Sequence, residues 1–555
     1  MAGTTSRRTV LGLGGQAAVV AKPTGPMPVR AVAFRPMLAG GPSTADESAV
    51  IAMPALTGAD PVGKQYPTFS AAAAAALRTA RRPTSVDPGT SSAHLLRRAT
   101  FGVRPSDVAD LKRLGIDKWL AAQLAPAKLA DPQGAAAWKA FPLAGAPVSK
   151  ILAKVDDYGW DAMLQTAYAS LGLQVFSTRQ LFEITVDIFA NHLHVPLPAE
   201  QWATSPDYLM NVIRRNAFGK FSNMLLAAMK HPAMLNFLNN DESRKEHVNE
   251  NLGRELLELH TVGIAGGYSE DDVKNSARIL SGRSWEGWLE GRRSTYGQYR
   301  YNRNDHATGA VRVLGFSHAN ASAAGGEAVG DAYLNYLAHH PATAQKIARK
   351  IAVRFVSDSP SADLVNRLAA VYLKYDTDIL QVVRAVFLSS DFWMATGTRM
   401  RRPLEDAVGT ARVLDVSRGT NVVRSLSNLF WSLDESGHTP YGWLPPNGYP
   451  DVAAAWLGAG AMIQRWNIHR NFMWWGYDFG RTEIHKIIPQ TSTLTAERWL
   501  RSMAIRLLGV PMSTDHVAAV LAGSDLEPTT IIRNEWWKSQ RAVALILDSP
   551  YFQLR

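Results

Sequence analysis

Residues 249–285, NENLGRELLELHTVGIAGGYSEDDVKNSARILSGRSW, hold more chemically committed side chains per turn than any other part of the chain. Leu252, Leu256 and Leu259 recur at helical intervals, so one stripe of this segment must face a core. Glu250, Arg254 and Glu258 stand four apart and can stack as a charge ladder along one flank. Asn251, Glu255 and Glu258 share an adjacent face. His260 falls in the last turn, where a cation suits the helix dipole. Gly263 then offers a stop, and Gly266-Gly267 a loop that tolerates positive φ. Ser269 with Asp272 three residues on reads as a capping box that opens a second helix through residue 280. The segment is thus helix, glycine elbow, helix, with carboxylates and a histidine at the elbow.

A chain of 555 residues, 46% hydrophobic and 19% charged, has ample length for a large core, as one big domain or two fused lobes. It contains no cysteine, which rules out disulfides and thiolate metal sites. The net charge of +11 is uneven: residues 1–92 carry nine Lys/Arg against four acids. The remainder is modest, and no localised basic patch points to nucleic acid. No run of about 18 apolar residues is present, so no membrane span is expected.

Ser6-Arg7-Arg8-Thr9-Val10-Leu11 resembles a twin-arginine export signal, with an apolar run from 10 to 21 and an acceptable cleavage site before Lys22. The expected location is therefore periplasmic or extracellular. Residues 22–92 are rich in Pro, Ala, Gly and Ser and read as a linker or disordered segment. A helical domain is expected over 93–555.

Within it, Ser106 is expected to cap a helix ending at Gly115. Glu183, Asp187 and Asn191 step by four along one helix face, and His192 and His194 follow before Pro196. His231-Pro232 opens a short helix after a long helical stretch over 208–238. Extended or hairpin structure is expected around 285–316, near His306, with 317–330 as a loop. Asp451 follows a rigid aromatic and proline-rich loop and stands where a helix carrying Trp456 and Arg465 needs its cap. The fold class is predominantly α, a large multi-helical domain with a small irregular or β-hairpin insertion.

The blocks HLLRRATFG (94–102), ANH (190–192), HPAMLNFL (231–238), NENLGRELLELHTVG (249–263), GGYSEDDV (266–273) and HPATAQKIARK (340–350) come in a fixed order. With Arg402-Pro403-Leu404-Glu405 and the 442–451 loop, they are similar to the bacterial family called domain of unknown function 1800. The resemblance spans about residues 94–555. It implies a mostly helical, typically exported protein. It also implies a neighbour, a secreted protein of the domain of unknown function 1501 type, which resembles the sulfatase and phosphatase superfamily. In one block an aspartate is expected directly after the histidine, whereas here His306 is followed by Ala307 and preceded by Asp305.

The sharpest chemical candidate gathers Asn191, His192, Arg254, Glu255, Glu258 and His260, with His306 as an outlying member. Paired carboxylates can divide into acid and base or hold a hard divalent cation, and two histidines would extend the set to Zn, Mn or Fe. Arg254 more naturally neutralises those carboxylates, which makes a structural ion-pair network the commoner outcome. There is no HExxH, no G-x-S-x-G elbow and no Walker loop, and Gly12-Leu13-Gly14-Gly15 lies inside the export signal. The aromatic stretches 285–301 and 441–449 can bind a sugar face or simply anchor loops. Two readings stand: an exported metal-assisted or hydrolase-like enzyme acting on an envelope or extracellular substrate, or a non-catalytic helical scaffold that serves a secreted enzyme.

Overall fold

Helix α1 (Pro88–Ala99) begins the described part of the computed structural model, which covers residues 88–154, 159–197, 199, 203–287, 295–474, 476–479, 493–532 and 536–555. The expected export signal and most of the linker lie outside the described residues. Among the described residues helices dominate, and the four strands form two small antiparallel hairpins. The fold is predominantly α with a strand insertion, as the periodicity indicates.

The organising helix is α2 (Trp160–Phe176), buried over nearly its whole length. It is apolar all round, and such a helix belongs in an interior. Beside it runs α3 (Gln180–His192), with Arg179 before it and Leu193 after it. One continuous hydrophobic core reaches from Leu95 to Phe552. Burying side chains on this scale is the main stabilising term, at about 25 cal/mol per Å² of apolar area.

Local chemistry accounts for most element boundaries. Short helix α4 (Pro232–Phe237) and α7 (Pro341–Phe355) both start at His-Pro-Ala, and in each the histidine Nδ1 accepts from the alanine N–H two residues on at 3.2 Å. Proline at the first turn removes a donor that would lack a partner, and the imidazole supplies the cap. The Ser269–Asp272 capping box is present and opens α6 (Glu270–Leu280). The cap expected at Ser106 falls instead on Arg104, because Pro105 takes the first helical position and Asp107 accepts from the Arg104 N–H.

The stretch 208–238 is not one helix. It breaks near Gly219, whose carbonyl accepts from Ile379 N–H while Phe221 N–H donates to Thr377 O. Tertiary bonds to the backbone replace the helical ones there. Strand β1 (Arg283–Trp285) pairs with β2 (Tyr299–Tyr301). Strand β3 (Val311–Val313) turns at Leu314-Gly315, both at positive φ, and pairs with β4 (Phe316–His318). The expected loop over 317–330 thus holds the end of a strand and the start of a helix from Gly326 to Ala338, because the two-residue turn closes a hairpin.

The elbow helix itself departs from regular winding. Asn251–Glu255 (α5) is α-helical, but Leu256–His260 continues as a π-turn. Three further helices follow towards the C-terminus, α8 (Pro403–Val413), α9 (Val422–Glu435) and α10 (Ala459–Trp474). Among the described residues no helix is long and apolar enough to cross a membrane.

Candidate functional site

The polar face expected on α3 exists and points inward. Glu183 accepts both arms of Arg214, at 2.7 and 2.8 Å. Asp187 Oδ2 accepts from Arg354 Nη1 and Arg402 Nη2, each at 2.6 Å. Asn191 donates to Tyr449 O at 2.8 Å and accepts from Tyr449 N–H at 2.7 Å. Its amide therefore mimics a strand partner and latches the 442–451 loop. Gly448, at φ +70°, is required beside it, since a Cβ there would sit 2.2 Å from Asn191 O.

His192 and His260 clasp each other's backbones. His192 Nε2–H donates to His260 O at 3.0 Å, and His260 Nδ1–H donates to His192 O at 3.2 Å. Both rings are buried, and the other nitrogen of each has no partner among the described residues. Burial pushes His192 well below the usual imidazole range, with Lys350 adding to it, and lowers His260 to about 3. The cationic role expected of His260 is therefore not filled by it. Lys346 of α7 takes that place, donating to Glu258 O at 2.5 Å.

Arg254, Glu255 and Glu258 lie only partly buried, at the outer side of the elbow. Arg254 holds Glu270 with both arms, at 2.8 and 2.7 Å, and Glu250 at 3.4 Å. Its third expected rung is missing: Glu258 instead accepts from Tyr268 O–H at 2.9 Å. The π-turn that begins at Leu256 widens the winding and breaks the four-residue register on which the ladder depends. Partial burial and Glu258 push Tyr268 up to about 12, and partial burial with Glu258 raises Glu255.

The six candidates thus form two sets, Asn191, His192 and His260 inside, and Arg254, Glu255 and Glu258 at the surface. Among the described residues no three His, Asp or Glu side chains are grouped to hold a metal ion. His306 is buried, with its ring nitrogens engaged by Ser281 O and Asn320 Oδ1, both at 2.9 Å.

The larger polar feature escaped sequence reasoning. Arg354, Arg399, Arg402, Glu405 and Arg555 are almost wholly buried, and Asp187 and Asp451 join them. Arg354 Nε binds Asp451 Oδ2 at 2.9 Å, Arg399 also pairs with Asp451 and with Asp358, and Arg555 Nη2 meets Glu405 at 2.5 Å. Asp451 is therefore no helix cap; three arginines claim its carboxylate. Despite burial, these cations hold Asp451 and Glu405 well below the usual carboxylate range. The arginine run 399–402 ahead of Pro403 was the available signal. A second buried cluster places His469 between Asp406 Oδ2 at 2.9 Å and Asp548 Oδ1 at 2.7 Å.

The arrangement defines a large helical protein centred on a buried ion-pair network, with a small apolar pocket between Ala190, Leu197, Tyr208 and Tyr441. The chain belongs to the family described as protein of unknown function (DUF1800), whose model matches residues 94–554. Comparison with curated proteins found no match, and comparison with solved structures found none.

Proposed function

We propose that this protein is an exported, non-catalytic helical scaffold that engages a secreted partner through the outer face of α10. One observation carries the reading: α10 leaves large apolar side chains exposed on its outer side although its inner side is packed. Its inner side buries Ile468, Phe472 and Met473. Its outer side presents Ile463, 51% exposed, and Trp466, 45% exposed, and Leu457 just before the helix is 59% exposed. Large apolar side chains left exposed together on one side of a helix are candidates for an interaction site. The twin-arginine pattern supports export, and a partner of the domain of unknown function 1501 type is the first to test.

The inner candidates agree with this reading, because Asn191 spends its amide on the Tyr449 backbone and His192 and His260 each spend one ring nitrogen on a backbone carbonyl. One observation favours the enzymatic alternative. Glu255 is half-buried, is raised from its ordinary value by that burial and by Glu258, and has no hydrogen bond or ion pair among the described residues. A carboxylic acid in that state can serve as a proton donor.

A photoreactive side chain at position 466, in protein exported by the producing cell, separates the two. A single discrete adduct, abolished by Ile463→Asp and untouched by Glu255→Gln, is expected. Absence of any adduct, together with a hydrolytic activity that Glu255→Gln removes without loss of folding, would replace the scaffold with the enzyme.

A further inference from the structure

The 442–451 loop contains the one Asn-Gly pair in the sequence, Asn447-Gly448. In such a pair the main-chain nitrogen most readily reaches the preceding side-chain carbonyl, because glycine has no Cβ to block the approach. Asn447 is exposed in a turn. The Gly448 N–H has no acceptor among the described residues, so no backbone ladder holds the nucleophile away. Asn275-Ser276, the next pair with a small successor, lies inside α6, where the Ser276 N–H is committed to the helix.

The side chain is already posed. Trp443 Nε1–H donates to Asn447 Oδ1 at 2.8 Å, and Asn447 Nδ2 has no partner among the described residues. That bond meets the oxygen on which negative charge grows when the amide carbon is attacked. The indole is itself held in place: His194 Nε2–H donates to Trp443 O at 2.5 Å, and the ring packs on Tyr449 with centroids 5.0 Å apart. On the other side, Gly448 fits closely against the Asn191 backbone and amide oxygens. The latch between Asn191 and Tyr449 follows in the very next residue.

We propose that Asn447 is a spontaneous modification site, converting with water to aspartate and isoaspartate, and that the isoaspartate form releases the latch on Tyr449. The Gly448 nitrogen loses its proton to hydroxide and bonds to Asn447 Cγ. The Cγ–Nδ2 bond breaks and ammonia leaves, which closes a cyclic imide. Water then opens either carbonyl of that ring. One opening restores the main chain beside an aspartate. The other routes the main chain through Cβ and Cγ and lengthens it by a carbon. Gly448 has no room against Asn191 to absorb that atom, so Tyr449 must move away from the Asn191 amide.

The test is ageing of the full chain in neutral buffer, folded and in guanidinium chloride. Peptide mass spectrometry follows every asparagine, and enzymatic methylation reads isoaspartate. In the folded chain Asn447 is expected to convert about tenfold faster than Asn275, a barrier difference of about 1.4 kcal/mol, and no slower than in the unfolded chain. Trp443→Phe should slow the folded reaction and leave the unfolded one unchanged. As isoaspartate accumulates, limited proteolysis should cut faster within 442–451. Asn447→Gln, whose longer amide closes a ring far more slowly, should keep the cutting pattern of fresh protein. Slower conversion of Asn447 in the folded chain than in the unfolded one means that the turn protects it, and overturns the proposal. Conversion to isoaspartate without faster cutting overturns the release of the latch. If Trp443→Phe does not fold, the comparison of folded with unfolded wild type still decides.

Discussion

An imidazole between two carboxylates and a buried imidazole on a single backbone carbonyl answer to pH in opposite ways. Burial alone would lower His469, but Asp406 and Asp548 overcome it and raise the group to about 9. Its stabilising contribution is complete below the ordinary value of 6.5 and is lost as pH rises through 9. His260, buried without a carboxylate, is lowered to about 3, so its contribution is complete above 6.5 and fades as pH falls toward 3. Lys350, lowered to about 8, works against the alkaline loss above that pH. The melting temperature should therefore decline from pH 6.5 toward 9, and Asp548→Asn should flatten that limb specifically. Calorimetry of both proteins across this range is the check; an unchanged slope would remove His469 as its source. The sequence shows fourteen histidines, and only their tertiary neighbours distinguish these two.

Among the elements, the latch between α3 and the 442–451 loop is the most exposed to a single change. Asn191→Ala would strand the N–H and C=O of Tyr449 in a buried setting, at a cost of about 2–4 kcal/mol. Denaturant unfolding should show that loss, and limited proteolysis should show faster cutting within 442–451. Stability within about 0.5 kcal/mol of wild type would mean that the aromatic packing of His438, Tyr449 and Trp456 holds the loop unaided. The loop's rigidity was legible from its prolines, and Asn191's place on α3 from the four-residue step. What could not be read was that the two meet, 258 residues apart. The elbow shows a similar divide. Ser269 and Asp272 announce the second helix locally, whereas the π-turn over Leu256–His260 has no local signature. That turn sends Glu258 to Tyr268 and breaks the expected ladder.

For the molecule as a whole, the buried network ties α3, α7, α8 and the segment around Asp451 into one body. Breaking such a network by removing one partner leaves uncompensated charge, and Asp451→Asn is expected to cost about 3–5 kcal/mol. Chemical denaturation should register that loss. Exchange of the whole network for apolar side chains is a different experiment and can be neutral. If Asp451→Asn proves harmless, the arginines must already be balanced by Asp187, Asp358 and Glu405.

Periodicity, caps and turn residues determined the helical class, the hairpin insertion and the His-Pro helix starts, while the family came from the resemblance of its ordered motif blocks. All of these depend on neighbours a few residues away, which a linear pattern records. Tertiary structure alone decided which charges are buried. It sent Asn191, His192 and His260 inward while leaving Arg254, Glu255 and Glu258 at the surface, and turned Asp451 from an expected cap into the partner of three arginines. The physical reason is that the Coulomb and desolvation terms acting on a side chain depend on distance through space and on exposure to water. Sequence separation measures neither.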